Sequence, residues 1–303
     1  MRKVEVTIVG AVLIAIALAP LGLKNYGIYL LTLWCVYVMA GMGLNLTVGY
    51  AGQMSIGHAA FVGIGAYTAA ILMKLGWSFW LVLPAAALLC FAVGLVLGFP
   101  ALRVQHHYLA FATLGFNVLM FLFFRNEEWL TGGTFGISGI PRPPLFDRSG
   151  AYFYFTYGST LVLALALAWI IRSPWGRAFA ALRDNPIRAE SLGVNIMAYT
   201  LLAFAIGAAF AGIAGAYFAS LVEFIEPAPF SLTSSLMMLL MVIVGGSGRF
   251  FGPMLGAAIV VLLPEWLRVM KDWYLVMFGL AMVALMIWLP GGLLSIPERL
   301  RRA

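Results

Sequence analysis

Apolar runs of helical length, separated by short polar punctuation, occupy almost the whole chain. A helix needs about 20 apolar residues to cross the ~30 Å hydrocarbon core of a bilayer. Ten segments meet or approach that length: 4–23, 26–48, 56–74, 79–99, 107–124, 152–171, 197–220, 232–248, 253–270 and 273–290. Some are short or broken by glycine and read as half-helices. Membrane barrel strands would alternate apolar and polar residues in shorter segments. The pattern therefore predicts an all-α, polytopic transmembrane bundle, with 1–303 forming one transmembrane domain.

The least regular part of this pattern is GYAGQMSIGHAAFVGIGAY, residues 49–67. An unpaired backbone polar group inside a membrane costs several kcal/mol, so irregular chain there must be covered by protein or line a water-filled path. A second interruption, VGGSGRFFGP, spans 244–253. Gly49, Gly52, Gly57, Gly245, Gly246 and Gly248 permit sharp turns and close helix contacts. Gln53, Ser55 and His58 add polar side chains. Two readings fit these residues: they line and gate a path, or the glycines pack helices while the polar groups cap helix ends and bond across the bundle. Asn45 and Asn117, inside apolar spans, read as interhelical hydrogen-bond formers.

Charge adds an orientation. With ten crossings both termini share one side, which receives eleven of the 18 basic residues and four of the 11 acidic ones. The opposite side carries seven of each, so the net charges are +7 and zero. Basic excess marks the cytoplasmic side, which places both termini and the loop 172–196 in the cytoplasm and 125–151 outside. Only 10% of the residues are charged and 63% are hydrophobic, with a mean hydropathy of +1.01. The basic residues flank apolar spans, which argues against nucleic acid as their partner and leaves membrane lipid as one. The N-terminus imitates a signal peptide, but Pro20 follows the candidate cleavage site, so 4–23 is expected to be a retained span. Cys35 and Cys90 fall within apolar spans and read as small buried residues.

The most informative polar segment is RSPWGRAFAALRDNPIRAESLGVN, 172–195. Its prolines and cap residues predict a short helix across 177–184. Asp184 or Asn185 would cap a second helix running to Leu192, which Gly193 can end. Phe179 and Leu182 share a face, while Arg177, Arg183, Arg188 and Glu190 offer charge. Either this compact element presents an apolar ridge to a groove on a partner, or it lies on anionic lipid.

Five ordered stretches together resemble one family, the membrane permease subunits of ABC importers for branched-chain amino acids. They are GLNLTVGYAGQMSIGHAAFVGIGAYTAA, YLAFATLGF, TGGTFGISGI, GRAFAALRDNPIRAESLGVN and MVIVGGSGRFFGPMLGAAIVVLLP, spread over residues 41–265. The form resembles the M-type permease more than its H-type partner. The resemblance implies a transport subunit of the inner (cytoplasmic) membrane. It would work with a second permease, a heterodimer being favoured, and with two cytoplasmic ATPase subunits and an extracytoplasmic solute-binding protein. It also implies that 172–196 holds the ATPase-coupling helix. The sequence departs from many relatives at Pro186, often acidic elsewhere, and at Thr200, often Lys.

The chain lacks a phosphate-cradling G-x-x-x-x-G-K-[ST] motif, so ATP and magnesium are expected on the partner subunits, with no cofactor, metal or catalytic residue here. His106 and His107 point to different helix faces and form no shared metal site with His58. The rival class is a secondary transporter or channel. Such carriers commonly hold ionisable groups at membrane depth, whereas every Asp and Glu falls at a span edge or in a loop. Leu, Ile and Val are the cargo the resemblance favours; urea, short amides or other amino acids are the alternative. The segments 131–139 and 223–230 are candidates for the solute-binding protein's docking surface, with Glu223 and Glu226 read as solvated loop acids.

Overall fold

The computed structural model describes residues 11–101, 107–267, 273, 279–280, 283–284, 287 and 291–295. Twelve α-helices are used below: α1 (Ala11–Leu21), α2 (Asn25–Leu44), α3 (His58–Lys74), α4 (Phe79–Ala101), α5 (His107–Asn126), α6 (Glu128–Thr131), α7 (Ser149–Arg172), α8 (Pro174–Asp184), α9 (Pro186–Ser191), α10 (Ile196–Val222), α11 (Leu232–Gly246) and α12 (Gly252–Leu267). Five helical stretches, 25–50, 79–100, 109–126, 149–172 and 196–222, are long and apolar enough to cross a membrane. The fold is a polytopic helical membrane bundle. The expected span 4–23 is described only from residue 11, and 273–290 lies largely outside the described residues.

Two of the expected spans are short. At 1.5 Å per residue, α11 (15 residues) reaches only about 23 Å, less than the hydrocarbon core; α12 is described over Gly252–Leu267. They pack against each other as a helical hairpin closed at the second glycine break. α3, with 17 residues, begins at His58, inside the stretch 49–67, so the irregular part of the first break ends at Gly57.

α10 is the axis of the bundle and packs against α2, α3 and α4. Apolar side chains gain nothing by leaving lipid for protein, so membrane helices associate through close packing, which small residues permit. The α10 sequence AFAIGAAFAGIAGAYFAS supplies them. A side chain at Gly215 would run into the Val62 carbonyl of α3, and one at Gly207 would meet Thr47 and the Gly43 carbonyl of the α2 segment. The faces turned away from this axis are apolar and exposed, as at Val96, Phe111, Leu165 and Trp169. In a bilayer they suit lipid chains or a partner's helices. Cys35 and Cys90 are buried and unpaired, Cys90 lying against the Phe61 carbonyl at 3.4 Å.

Between α5 and α7, and again after α10, the chain forms a two-stranded antiparallel ribbon, β1 (Ile137–Ser138) with β2 (Phe224–Ile225). The segments 131–139 and 223–230 therefore belong to one surface. Glu223 is a half-exposed loop acid, as expected, and it also pairs with Arg142 at 2.8 Å and holds a left-handed φ of 60°. Arg142 reaches further, donating to the carbonyls of Ser220, Leu221 and Asp147. The ribbon is thus tied to the end of α10.

The α10 contacts give a direct test. Gly215→Leu is expected to cost at least about 1–3 kcal/mol by overpacking, read as a lower melting temperature in detergent. Gly158→Leu, on the open face of α7 where a Cβ meets nothing within 4 Å, is expected to leave it unchanged.

Candidate functional site

The chain departs from α-helical geometry at the end of α2, before residue 49. Its α-helical hydrogen bonding gives way to a π-helical segment, Asn45–Tyr50, in which the Ala51 N–H reaches back five residues to the Leu46 carbonyl at 3.0 Å. Such widened turns loosen the helix and release carbonyls that need outside donors. Gly52 then turns the chain with φ +70°, a conformation costly for other residues.

Asn45 joins the first break to the second. Its Nδ2 donates to the Arg249 carbonyl at 3.0 Å, and its Oδ1 accepts from the Gly248 N–H at 2.8 Å. Gly248 has φ +73°. A Cβ there would collide with the Arg183 guanidinium and lie 2.8 Å from the Gly49 carbonyl oxygen. Arg183, from α8, donates from Nη1 to that carbonyl at 2.6 Å, while its backbone would stand 3.2 Å from a Cβ on Gly52. One polar node therefore contains parts of both breaks and the end of α8.

A second node receives the start of α3. The first N–H groups of a helix have no partner within it, and here neighbouring helices supply them. Thr113 Oγ1 accepts from Ile56 N–H at 3.0 Å and Asn117 Oδ1 from Ala60 N–H at 3.0 Å, both from α5. Ser235 Oγ of α11 accepts from Ala59 N–H at 2.9 Å, and the same hydroxyl donates to Asn117 Oδ1 at 3.2 Å. His58 Nε2 lies 2.8 Å from the Ala40 carbonyl; because a carbonyl only accepts, Nε2 is the protonated ring nitrogen.

A cleft of about 640 Å³ opens between the first break, α8, α9 and the start of α10. Gly52, Gln53, Leu182, Arg183, Glu190 and Gly193 line it together with Thr200. Gln53 is buried; its Nε2 donates to the Thr200 carbonyl at 2.9 Å, and its Oε1 has no hydrogen-bond partner among the described residues. Ser55, Gly57 and His58 lie apart from this cleft, buried at the start of α3. Gly57 touches Thr113, and Gly245 packs against the Gly252 carbonyl within the α11–α12 hairpin; Gly246, at φ +120°, is in the same turn.

The loop folds as its caps suggested, with one reversal. Ser173 and Asn185 cap α8 and α9, Asn185 Oδ1 accepting from Arg188 N–H at 3.0 Å, and Gly193 follows with φ +83°. Phe179 and Leu182 do not form an outward ridge. They are 0% and 5% exposed and face the bundle, with Phe179 edge-on to Tyr199 of α10. The helical repeat sets these two on one face, but burial of that face is more favourable inside the same chain. The exposed apolar side chains are instead Ile187 and Leu192, at 78% and 82%, beside exposed Arg177, Asp184 and Arg188. Thr113 and Ser235 were not anticipated as contributors; their signal was polarity inside an apolar run, which Asn45 and Asn117 share.

This helical architecture with two joined breaks coincides with a family match. The model for "Branched-chain amino acid transport system / permease component" covers residues 26–288. The chain belongs to that family. It is 37% identical over 320 residues to the high-affinity branched-chain amino acid transport system permease protein LivM of Escherichia coli strain K12, a match spanning 96% of this chain and 75% of that one. LivM of Salmonella typhimurium strain LT2 is also 37% identical, over 93% of this chain and 73% of its own length. The autoinducer 2 import system permease protein LsrC of Salmonella paratyphi B is 28% identical over 75% of this chain and 64% of LsrC. No solved structure matches. The chain is a multi-pass inner-membrane transport permease, a transport subunit by family.

Asn117→Ala leaves Ala60 N–H only the Gly57 carbonyl at 3.2 Å and removes the acceptor of the Ser235 hydroxyl. Each buried group left unsatisfied costs about 1–3 kcal/mol, so a lowered melting temperature in detergent is expected. Asn117→Gln, which keeps the chemistry but lengthens the arm, is expected to fall between Ala and the parent.

Proposed function

We propose that this chain is the permease subunit of an ATP-driven ABC importer carrying Leu, Ile or Val delivered by an extracytoplasmic solute-binding protein. The observation that carries the reading is the family match across 26–288, joined to a folded two-helix element set directly against the first glycine break. Basic residues concentrate on the side bearing α8 and α9, which supports a cytoplasmic position for that element. ATP and magnesium then belong to two ATPase subunits docked there, and a second, different permease completes the path. Relatives support the cargo: the LivM match is both closer and more extensive than the match to the autoinducer permease.

In this reading the work of the chain is conformational. ATPase closure pushes on α8 and α9, and the bundle opens alternately to either side as two states of a packed structure. Ile187 and Leu192 offer exposed apolar area to an ATPase groove, flanked by Arg177 and Arg188. Gly49, Gly52, Gln53 and Gly248 lie where the path would change shape. At the opposite face, the ribbon fixed by Arg142 and Glu223 is the surface offered to the solute-binding protein.

The test is gentle detergent purification from native cells, followed by mass spectrometry of what stays bound and by labelled leucine uptake in proteoliposomes. ATPases and a second permease at near-equal stoichiometry, with ATP-dependent uptake, are the expected result. Solute movement by this chain alone without ATP would establish a channel or secondary carrier instead. The double substitution Ile187→Asp, Leu192→Asp is expected to reduce bound ATPase at least about tenfold, because burying one large apolar side chain is worth about 1.5–3 kcal/mol.

A further inference from the structure

Resting on the importer reading above, we infer that Arg183 is the positioning residue through which movement of the loop element reaches both glycine breaks. It stands in the loop, where a basic side chain is commonly assumed to meet a partner. Its hydrogen-bonding end points the other way.

Three contacts make the connection. Arg183 Nη1 donates to the Gly49 carbonyl at 2.6 Å, at the end of the π-helical segment. The Arg183 backbone and stem fill the space beside Gly52, at 3.2–3.3 Å from where a Cβ would stand. The guanidinium also occupies the space a side chain at Gly248 would need. Asn45 extends the link by bonding both Gly248 N–H and the Arg249 carbonyl. A displacement of α8 is thus transmitted to 49–52 and to 248–249 together. α8 is itself held to the bundle by buried Phe179 and Leu182, so it moves as a body. The adjoining cleft of about 640 Å³ leaves room for that motion.

An exposed arginine bound to water or to a surface carboxylate contributes little. Here the acceptor is different. Gly49 is buried, and its carbonyl lies at a helix end that cannot satisfy its last carbonyls internally. A donor for such a group within a membrane protein is costly to lose. The glycines at 52 and 248 complete the argument, because side chains there would fill the space this arginine occupies, while one at Gly49 would collide with Asn45 and Gly248.

The experiment uses the complete transporter, purified with its partners and reconstituted in proteoliposomes with binding protein and labelled leucine. ATP hydrolysis, uptake and the amount of bound ATPase are measured together for the parent, Arg183→Ala and Arg183→Lys. Arg183→Ala is expected to keep its ATPases and to hydrolyse ATP within about twofold of the parent, while moving about tenfold less solute per ATP, the weight of one charge-assisted hydrogen bond. Arg183→Lys, which still offers a charged N–H donor, is expected to recover most of that ratio. An unchanged ratio in Arg183→Ala overturns the inference. So does a loss of bound ATPase in parallel with uptake, which would make Arg183 a docking residue. If Arg183→Ala does not assemble, Arg183→Gln takes its place, with the ratio expected to fall in the order parent, Lys, Gln; three equal ratios overturn the inference. A parent chain that purifies without ATPase overturns the importer reading itself, before any substitution is made.

Discussion

The links between the two glycine breaks and their neighbours answer one demand: backbone polar groups that leave a helix within a bilayer must find partners in protein. Regular spans meet it internally. At residues 45–60 and 246–252 the chain cannot, because π-turn, left-handed glycines and a new helix start follow one another within a few residues. The molecule supplies donors and acceptors from distant segments. Asn45 serves Gly248 and Arg249, Arg183 serves Gly49, and Thr113, Ser235 and Asn117 serve the first turn of α3. Each link satisfies a local need and also ties together elements far apart in sequence.

That dependence explains the arrangement of small residues along α10. The breaks can be supported only if α2, α3 and α5 come close enough for short side chains to reach, and α10 permits the approach by presenting glycine and alanine to α2 and α3. Backbone contact of this kind offers fixed alternatives more readily than a continuum, since close-packed helices tolerate little gradual distortion. A transport subunit needs such discrete packings. Weakly held, water-exposed turns would let the path change shape without reference to the loop element.

Much of the architecture was legible from periodicity and length. The boundaries of α2, α4, α7 and α10 follow the ends of their apolar runs, and Asn185 and Gly193 punctuate the loop as their backbone preferences require. The site was legible only in part. Glycine and polar residues marked both breaks, yet nothing in a linear pattern says that Asn45 meets Gly248, some two hundred residues away. Phe179 and Leu182 show the same limit. Their spacing placed them on one face but did not say whether that face met a partner or the chain's own α10. Glu223 read rightly as a solvated loop acid, but its pairing was not legible, because Arg142 lies on another segment that only the β1–β2 ribbon brings near.

The inward face of α8 and the outward side chains of α9 divide the loop's work between them. A helix that presented its apolar side to a partner would have to detach from the bundle or leave its polar face against the membrane domain. With Phe179 and Leu182 buried, α8 is anchored to the bundle; in the importer reading proposed above, Ile187 and Leu192, exposed on and just after α9, are the contact at which force would enter. Pro186 and Asn185 set the turn between the two, fixing the angle at which the exposed helix leaves the anchored one. The same geometry accounts for the position of Arg183. It lies on the last turn of the anchored helix, after the residues that hold α8 to the bundle and before the turn that leads to α9, the position from which its guanidinium meets the Gly49 carbonyl.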